Sequence, residues 1–112
     1  MSIQLGKYSF NGPITSIDKI KEKAGVYAIV CKVDTDYFLI DVGESSKLRT
    51  RIENHDKKDC WIKNCNRKVT IFVHYTTFLK QNGRIFIEQE LRDLFHPDCK
   101  MDNKIGFPEV LT

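Results

Sequence analysis

Six side chains in this sequence have the types and spacing to act on a phosphate. Tyr27 and Asp41 lie on consecutive apolar segments, Arg51 and His55 stand four residues apart, and Glu88 and Glu90 flank a late amphipathic segment. Arginine holds a phosphate through paired N–H groups, and histidine can donate to one or move a proton. A carboxylate at the edge of a core is a candidate ligand for Mg²⁺ or Mn²⁺, which prefer hard oxygen donors. Taken singly, each has an ordinary explanation: a core tyrosine, a turn-capping aspartate, a surface glutamate.

The elements that must position these groups follow from hydrophobic periodicity. Ile3 to Phe10 is strand-like and runs into Asn11-Gly12-Pro13, a turn signal. Thr15 or Ser16 can cap a short helix carrying Ile17 and Ile20, which Gly25 would end. Val26 to Val33 is apolar on both faces, as a central strand is, and Asp34-Thr35-Asp36 turns it into a second strand, Tyr37 to Val42. That hairpin register sets Val33 opposite Tyr37 and Tyr27 opposite Gly43, with Tyr27 and Asp41 on one sheet face.

After Gly43 the period becomes helical from Ser46 to His55, with Ser45 or Ser46 as the cap. At about 100° per residue, Leu48 and Ile52 form the buried stripe, and Arg51 and His55 lie on its flank. Asp56 to Asn66 reads as a polar loop holding Trp61, followed by a third strand, Val69 to Tyr75. A last helix from about Arg84 to Phe95 buries Ile87, Leu91, Leu94 and Phe95 and stops before Pro97. Glu88 and Glu90 fall on opposite flanks of that stripe, and periodicity does not choose between them. The order strand, strand, helix, strand, helix predicts an α+β domain: a small three-stranded, mostly antiparallel sheet flanked by helices.

The chain has 112 residues, 18 Lys+Arg against 15 Asp+Glu, and a mean hydropathy of −0.38. These values suit a single domain over residues 1–112 and exclude disordered and membrane-spanning classes. The N-terminus lacks a secretory pattern, so an intracellular, cytoplasmic protein with no membrane partner is expected. Between Lys47 and Lys68, eight basic residues face three acidic ones, a local excess that suits an anionic partner. Lys47, Arg49, Lys57, Lys58, Lys63, Arg67 and Lys68 are therefore the candidate nucleic-acid contacts; a solvated helix and loop is the plainer alternative. In a reducing compartment Cys31, Cys60, Cys65 and Cys99 are expected as free thiols. A zinc site at Cys60 and Cys65, with His55 or His74, would depart from the usual ligand spacing.

The order of these motifs resembles the GIY-YIG nuclease superfamily. Gly25-Val26-Tyr27 is similar to the first signature, and Asp41-Val42-Gly43 occupies the place of the second. Leu48 to His55 resembles the family helix, with Arg51 eight residues after Gly43 and His55 four later. Ile87-Glu88-Gln89-Glu90-Leu91, then Phe95-His96-Pro97, resembles the closing segment that carries the metal-binding glutamate. The similarity covers about residues 23–100.

What the resemblance implies is a GIY-YIG-like fold and a divalent-metal-dependent endonuclease acting on DNA. One Mg²⁺ or Mn²⁺ ion would sit on Glu88, which the resemblance selects over Glu90. Tyr27 would position or deprotonate the attacking water, Arg51 would neutralise the phosphoryl oxygens, and His55 would assist proton transfer or contact the phosphate. Asp41 stands where the second signature carries tyrosine. It is thereby an extra metal ligand, a substitute base, or the mark of an impaired site that binds DNA or RNA without cutting. Lys100 stands where the family's late asparagine is expected, with Asn103 nearby. With no appended DNA-binding domain, specificity would come from a protein partner or from DNA shape. A third class of function, a protein-interaction domain, would use the Cys60-Trp61-Ile62 segment as an anchor.

Overall fold

The computed structural model describes residues 2–65 and 68–106. Its strands are β1 (Ser2–Leu5), β2 (Tyr8–Ile14), β3 (Gly25–Val33), β4 (Asp36–Ser45), β5 (Lys68–Tyr75) and β6 (Asn103–Ile105). The helices are α1 (Leu48–Glu53), α2 (Lys58–Asn64) and α3 (Gln81–Phe95), and a 3-10 turn spans Ile17–Lys19.

The strands form one six-stranded antiparallel sheet in the order β1-β2-β5-β3-β4-β6. This corrects the expected three-stranded sheet. The strand-like segment Ile3 to Phe10 is two strands rather than one, and β6 was not expected; each difference has a physical reason. The β1–β2 hairpin turns at Gly6, at φ +59°, a conformation glycine adopts without a Cβ clash. β2 then runs straight through Asn11-Gly12-Pro13, the expected turn, with an irregularity in its pairing to β5 between Asn11 and Ile14. A cis Gly12–Pro13 peptide lies at that point. The three-residue β6 is too short to show a period and exists because β4 offers it an edge.

Two buried clusters lie on opposite faces of the sheet. One joins Val26, Ala28, Val30, Leu39, Val42 and Phe72 to Ile87 and Leu91 of α3 and to Ile3, Leu5 and Phe10. The other joins Tyr27, Ile29, Cys31, Ile40 and Val73 to Leu48 and Ile52 of α1 and Trp61 of α2. α3 starts at Gln81, three residues before the expected Arg84, and Leu94 is 57% exposed rather than part of its core stripe. The N-cap residues of the 3-10 turn and α1, Ser16 and Lys47, make no side-chain capping hydrogen bond; the first-turn amide of Thr50 in α1 donates to Glu22 Oε1 at 3.1 Å instead.

α2 replaces the expected loop, and two disulfides replace the expected thiols. Cys31 of β3 pairs with Cys65, and Cys60 of α2 pairs with Cys99 beyond α3. Both bridges end on α2 or its C-terminal residue, on either side of Trp61. A seven-residue helix is marginal by itself. The staples and the buried Trp61 hold it in place, and neither is visible in local periodicity. No described helix is long and apolar enough to cross a membrane.

Candidate active site

The hairpin of β3 and β4 brings the first two groups together through a bulge. Near the turn Val33 pairs with Asp36 and Lys32 with Tyr37, one residue off the expected register. The register shifts between Ile29 and Val30, after which Ile29 pairs with Asp41 and Tyr27 with Gly43, as expected. Ile40 and Asp41 consequently face the same side, a local reversal of strand alternation that bulges produce next to functional sites. A Cβ at position 43 would overlap the Tyr27 hydroxyl and its Cζ, so only glycine lets the phenol cross the hairpin.

α1, shorter than the expected Ser46 to His55, and the turn after it present Arg51 and His55 to the same spot. His55 lies edge-on to Tyr27, ring centroids 5.8 Å apart, and packs at a tilt of 42° against Trp61 at 4.5 Å. Glu88 arrives from the opposite face of the sheet. β6 covers only Tyr37–Leu39 of β4, leaving the outer edge beyond Leu39 to α3 and the segment after it. There the Ile40 carbonyl accepts from the Cys99 amide at 2.8 Å, and the Val42 carbonyl accepts from Arg92 Nη2 at 2.5 Å. The Glu88–Arg92 flank of α3 thus reaches round the strand edge.

The result is one cavity of about 330 Å³ lined by Tyr27, Asp41, Gly43, Glu44, Arg51, His55, Asp56, Lys57, Glu88 and Arg92. All five residues singled out as catalytic in the sequence, Tyr27, Asp41, Arg51, His55 and Glu88, line it. Glu90 does not; it accepts from Tyr8 and pairs with Lys7 on the other flank of α3. Lys100 and Asn103 do not line the cavity either: Lys100 is exposed, and Asn103 pairs with Leu39 in β6.

Electrostatics answer the problem posed by Asp41. Its carboxylate, 2% exposed, accepts from Trp61 Nε1 at 3.0 Å and from the Val42 amide at 2.9 Å. Arg92 Nη2 lies 3.6 Å from it, and Arg92 Nε pairs with Glu88 at 3.4 Å. Glu44 is held by the buried Arg84 at 2.9 Å. Four acidic side chains line the cavity against Arg51, Lys57 and Arg92; Arg84 supplies the fourth cation, so the group is formally neutral. Arg92 and Arg84 were not singled out in the sequence, and Trp61 was read there as an interaction anchor rather than as a partner of Asp41. Only Arg92 left a trace in the sequence, one helical turn after Glu88.

Burial pushes the Tyr27 phenol well above its usual pKa, with Asp41 and Glu88 adding to the shift and Arg51 opposing it. Burial also lowers the His55 pKa, aided by Arg51. His55 Nδ1 accepts the Lys57 amide at 3.0 Å, so the neutral ring carries its proton on Nε2. Both groups are therefore hydrogen-bond donors at neutral pH.

Among the described residues, no three His, Cys, Asp or Glu side chains gather closely enough to cage a metal ion. The donor set suits a lighter arrangement. Glu88, 25% exposed at the mouth of the cavity, fits the single carboxylate with which Mg²⁺ retains waters and takes further oxygens from a substrate phosphate. Both Asp41 oxygens already accept N–H groups, which disfavours it as a second ligand. The disulfides remove the zinc candidate at Cys60 and Cys65, and His74 packs against Tyr8 and Phe10 instead.

Of the proposed nucleic-acid contacts, Lys47, Lys57, Lys58, Lys63 and Lys68 are exposed, and Lys57 lines the cavity. Arg49 is partly withdrawn, donating through Nε to the Ile20 carbonyl at 2.7 Å. Arg67 lies outside the described residues. Trp61 is only 3% exposed, which removes it as an interaction anchor. The chain matches no family model, no curated protein and no solved structure.

Proposed function

We propose that this protein is a divalent-metal-dependent phosphodiesterase that cuts DNA, with Tyr27, Arg51, His55 and Glu88 as its working groups. One observation carries the reading: these side chains, from β3, α1 and its C-terminal flank, and α3, converge on a single polar cavity. Their order along the chain, which resembles the GIY-YIG nucleases, supports it further.

Glu88 would hold Mg²⁺ or Mn²⁺, whose chemistry is to polarise a phosphoryl oxygen and stabilise the leaving oxygen. The remaining work is positioning and charge stabilisation. Arg51, with Lys57 beside it, neutralises charge building on the phosphoryl oxygens. His55 donates a hydrogen bond from its Nε2–H to the phosphate. The protonated Tyr27 positions the attacking water rather than deprotonating it, because burial makes its phenolate costly; the water's proton passes to solvent in the open cavity, and solvent protonates the leaving oxygen. Asp41 serves as an internal acceptor for Trp61 and the Val42 amide, with Arg92 as its ion-pair partner, rather than as a base.

The exposed lysines from Lys47 to Lys68 would carry the DNA backbone, with target choice left to DNA shape or a protein partner. A second reading, binding of DNA or RNA without turnover, is favoured by the engagement of Glu88 with Arg92. Supercoiled plasmid, branched and single-stranded substrates with Mg²⁺ or Mn²⁺ separate the two. Cleavage that Glu88→Ala abolishes supports the nuclease; salt-sensitive binding with no cut product supports the binding module.

A further inference from the structure

Arg92 belongs to no motif in the sequence, yet it is among the most constrained side chains at the cavity. Its Nη2 donates to the Val42 carbonyl at 2.5 Å and lies 3.6 Å from the buried Asp41, and its Nε faces Glu88 at 3.4 Å. Among the described residues, its other terminal nitrogen makes no hydrogen bond. The side chain remains 33% exposed and lines the cavity.

An arginine that serves only to neutralise Asp41 has no need to line an open cavity. Here the anchoring acceptors take one side of the guanidinium and leave the other for a ligand. Guanidinium groups suit phosphate because a planar fork of N–H donors matches phosphoryl oxygens. Holding the fork in advance reduces the rotamer entropy lost when an anion binds. Arg51 and Lys57 come from the α1 side of the cavity, whereas Arg92 comes from α3. A phosphodiester between them is held from two directions.

We propose that Arg92 is a second phosphate-binding residue of this cavity, anchored by Asp41. The proposal rests on the cavity being a phosphodiester site, and its test is separable from the test for cleavage. Binding of a fluorescein-labelled DNA duplex in Ca²⁺ buffer is measured against salt for the wild type, Arg92→Gln and Arg92→Lys. Arg92→Gln is expected to weaken binding about tenfold at low salt and to flatten the log–log salt dependence by about one unit. Arg92→Lys, which keeps the charge, retains the slope but loses the fork, and in Mg²⁺ lowers kcat more than it changes KM.

A purely structural role would leave the salt slope untouched even where stability fell. Equal affinity and slope in wild type and Arg92→Gln therefore overturn the proposal. If Arg92→Gln fails to fold, Arg92→Lys decides: duplex affinity equal to wild type overturns the proposal. A wild type that binds no duplex at low salt overturns both this proposal and the nuclease reading. Loss of slope in Arg92→Gln with no cleavage by wild type overturns the nuclease alone and supports phosphate binding by Arg92.

Discussion

The Trp61 indole donates to Asp41 Oδ2 at 3.0 Å, joining a short helix to a strand across twenty residues of sequence. Both residues are almost wholly buried, and Arg92 completes the charge balance. Replacing Trp61 with Phe removes the donor while keeping an aromatic ring, leaving a buried carboxylate oxygen without that partner. The expected cost is about 2–3 kcal/mol, within the range for hydrogen bonds to charged groups. Urea unfolding of Trp61→Phe, Asp41→Asn and the double variant checks it: the pair should be coupled by about 1 kcal/mol or more.

Gly43 is required by the path of Tyr27. Gly43→Ala sets a methyl group into the phenol ring and is expected to cost about 1–3 kcal/mol, the range for overpacking. Gly106, where an added Cβ meets nothing within 4 Å, provides the comparison. Thermal unfolding should separate the two, with Gly106→Ala within about 0.5 kcal/mol of wild type.

His55 makes stability depend on pH with a definite sign. Burial holds its pKa in the folded protein below the ordinary value of about 6.5, so the unfolded chain binds the proton more readily. The neutral ring's contribution is full above about 6.5 and is lost as pH falls through the folded pKa. Urea midpoints from pH 8 to pH 5 should fall for wild type and fall less for His55→Gln.

The staples on α2 should hold Trp61 in place. The bridges span 34 and 39 residues of sequence. Each loop is long enough for about 4 kcal/mol in the chain-entropy picture. Reduction with dithiothreitol should lower stability by several kcal/mol and shift Trp61 emission to the red as α2 loosens. A Cys60→Ser/Cys99→Ser variant, which retains the second bridge, should show a smaller stability loss than full reduction. Unchanged emission and unfolding midpoint on full reduction would refute the role of the bridges.

The sequence by itself determined the central hairpin, α1, β5 and α3, and it named the five side chains that meet in the cavity. Those elements are long or strongly periodic, and the expected pairing of Tyr27 with Gly43 holds although the turn pairs one residue off, because the bulge between Ile29 and Val30 restores the register. Tertiary structure decided the rest. β1, β2 and β6 pair with partners distant in sequence or are too short to carry a period, and α2 is held by bridges whose pairing needs three dimensions. Periodicity left Glu88 and Glu90 level and only the resemblance selected Glu88; the physical reason lies in the stretch of β4 that β6 leaves uncovered, round which one flank of α3 reaches. Above all, the role of Asp41 lay outside the sequence, because the charge of a buried carboxylate is set by its neighbours. Those neighbours, Trp61 and Arg92, come from two helices that only the fold brings to it.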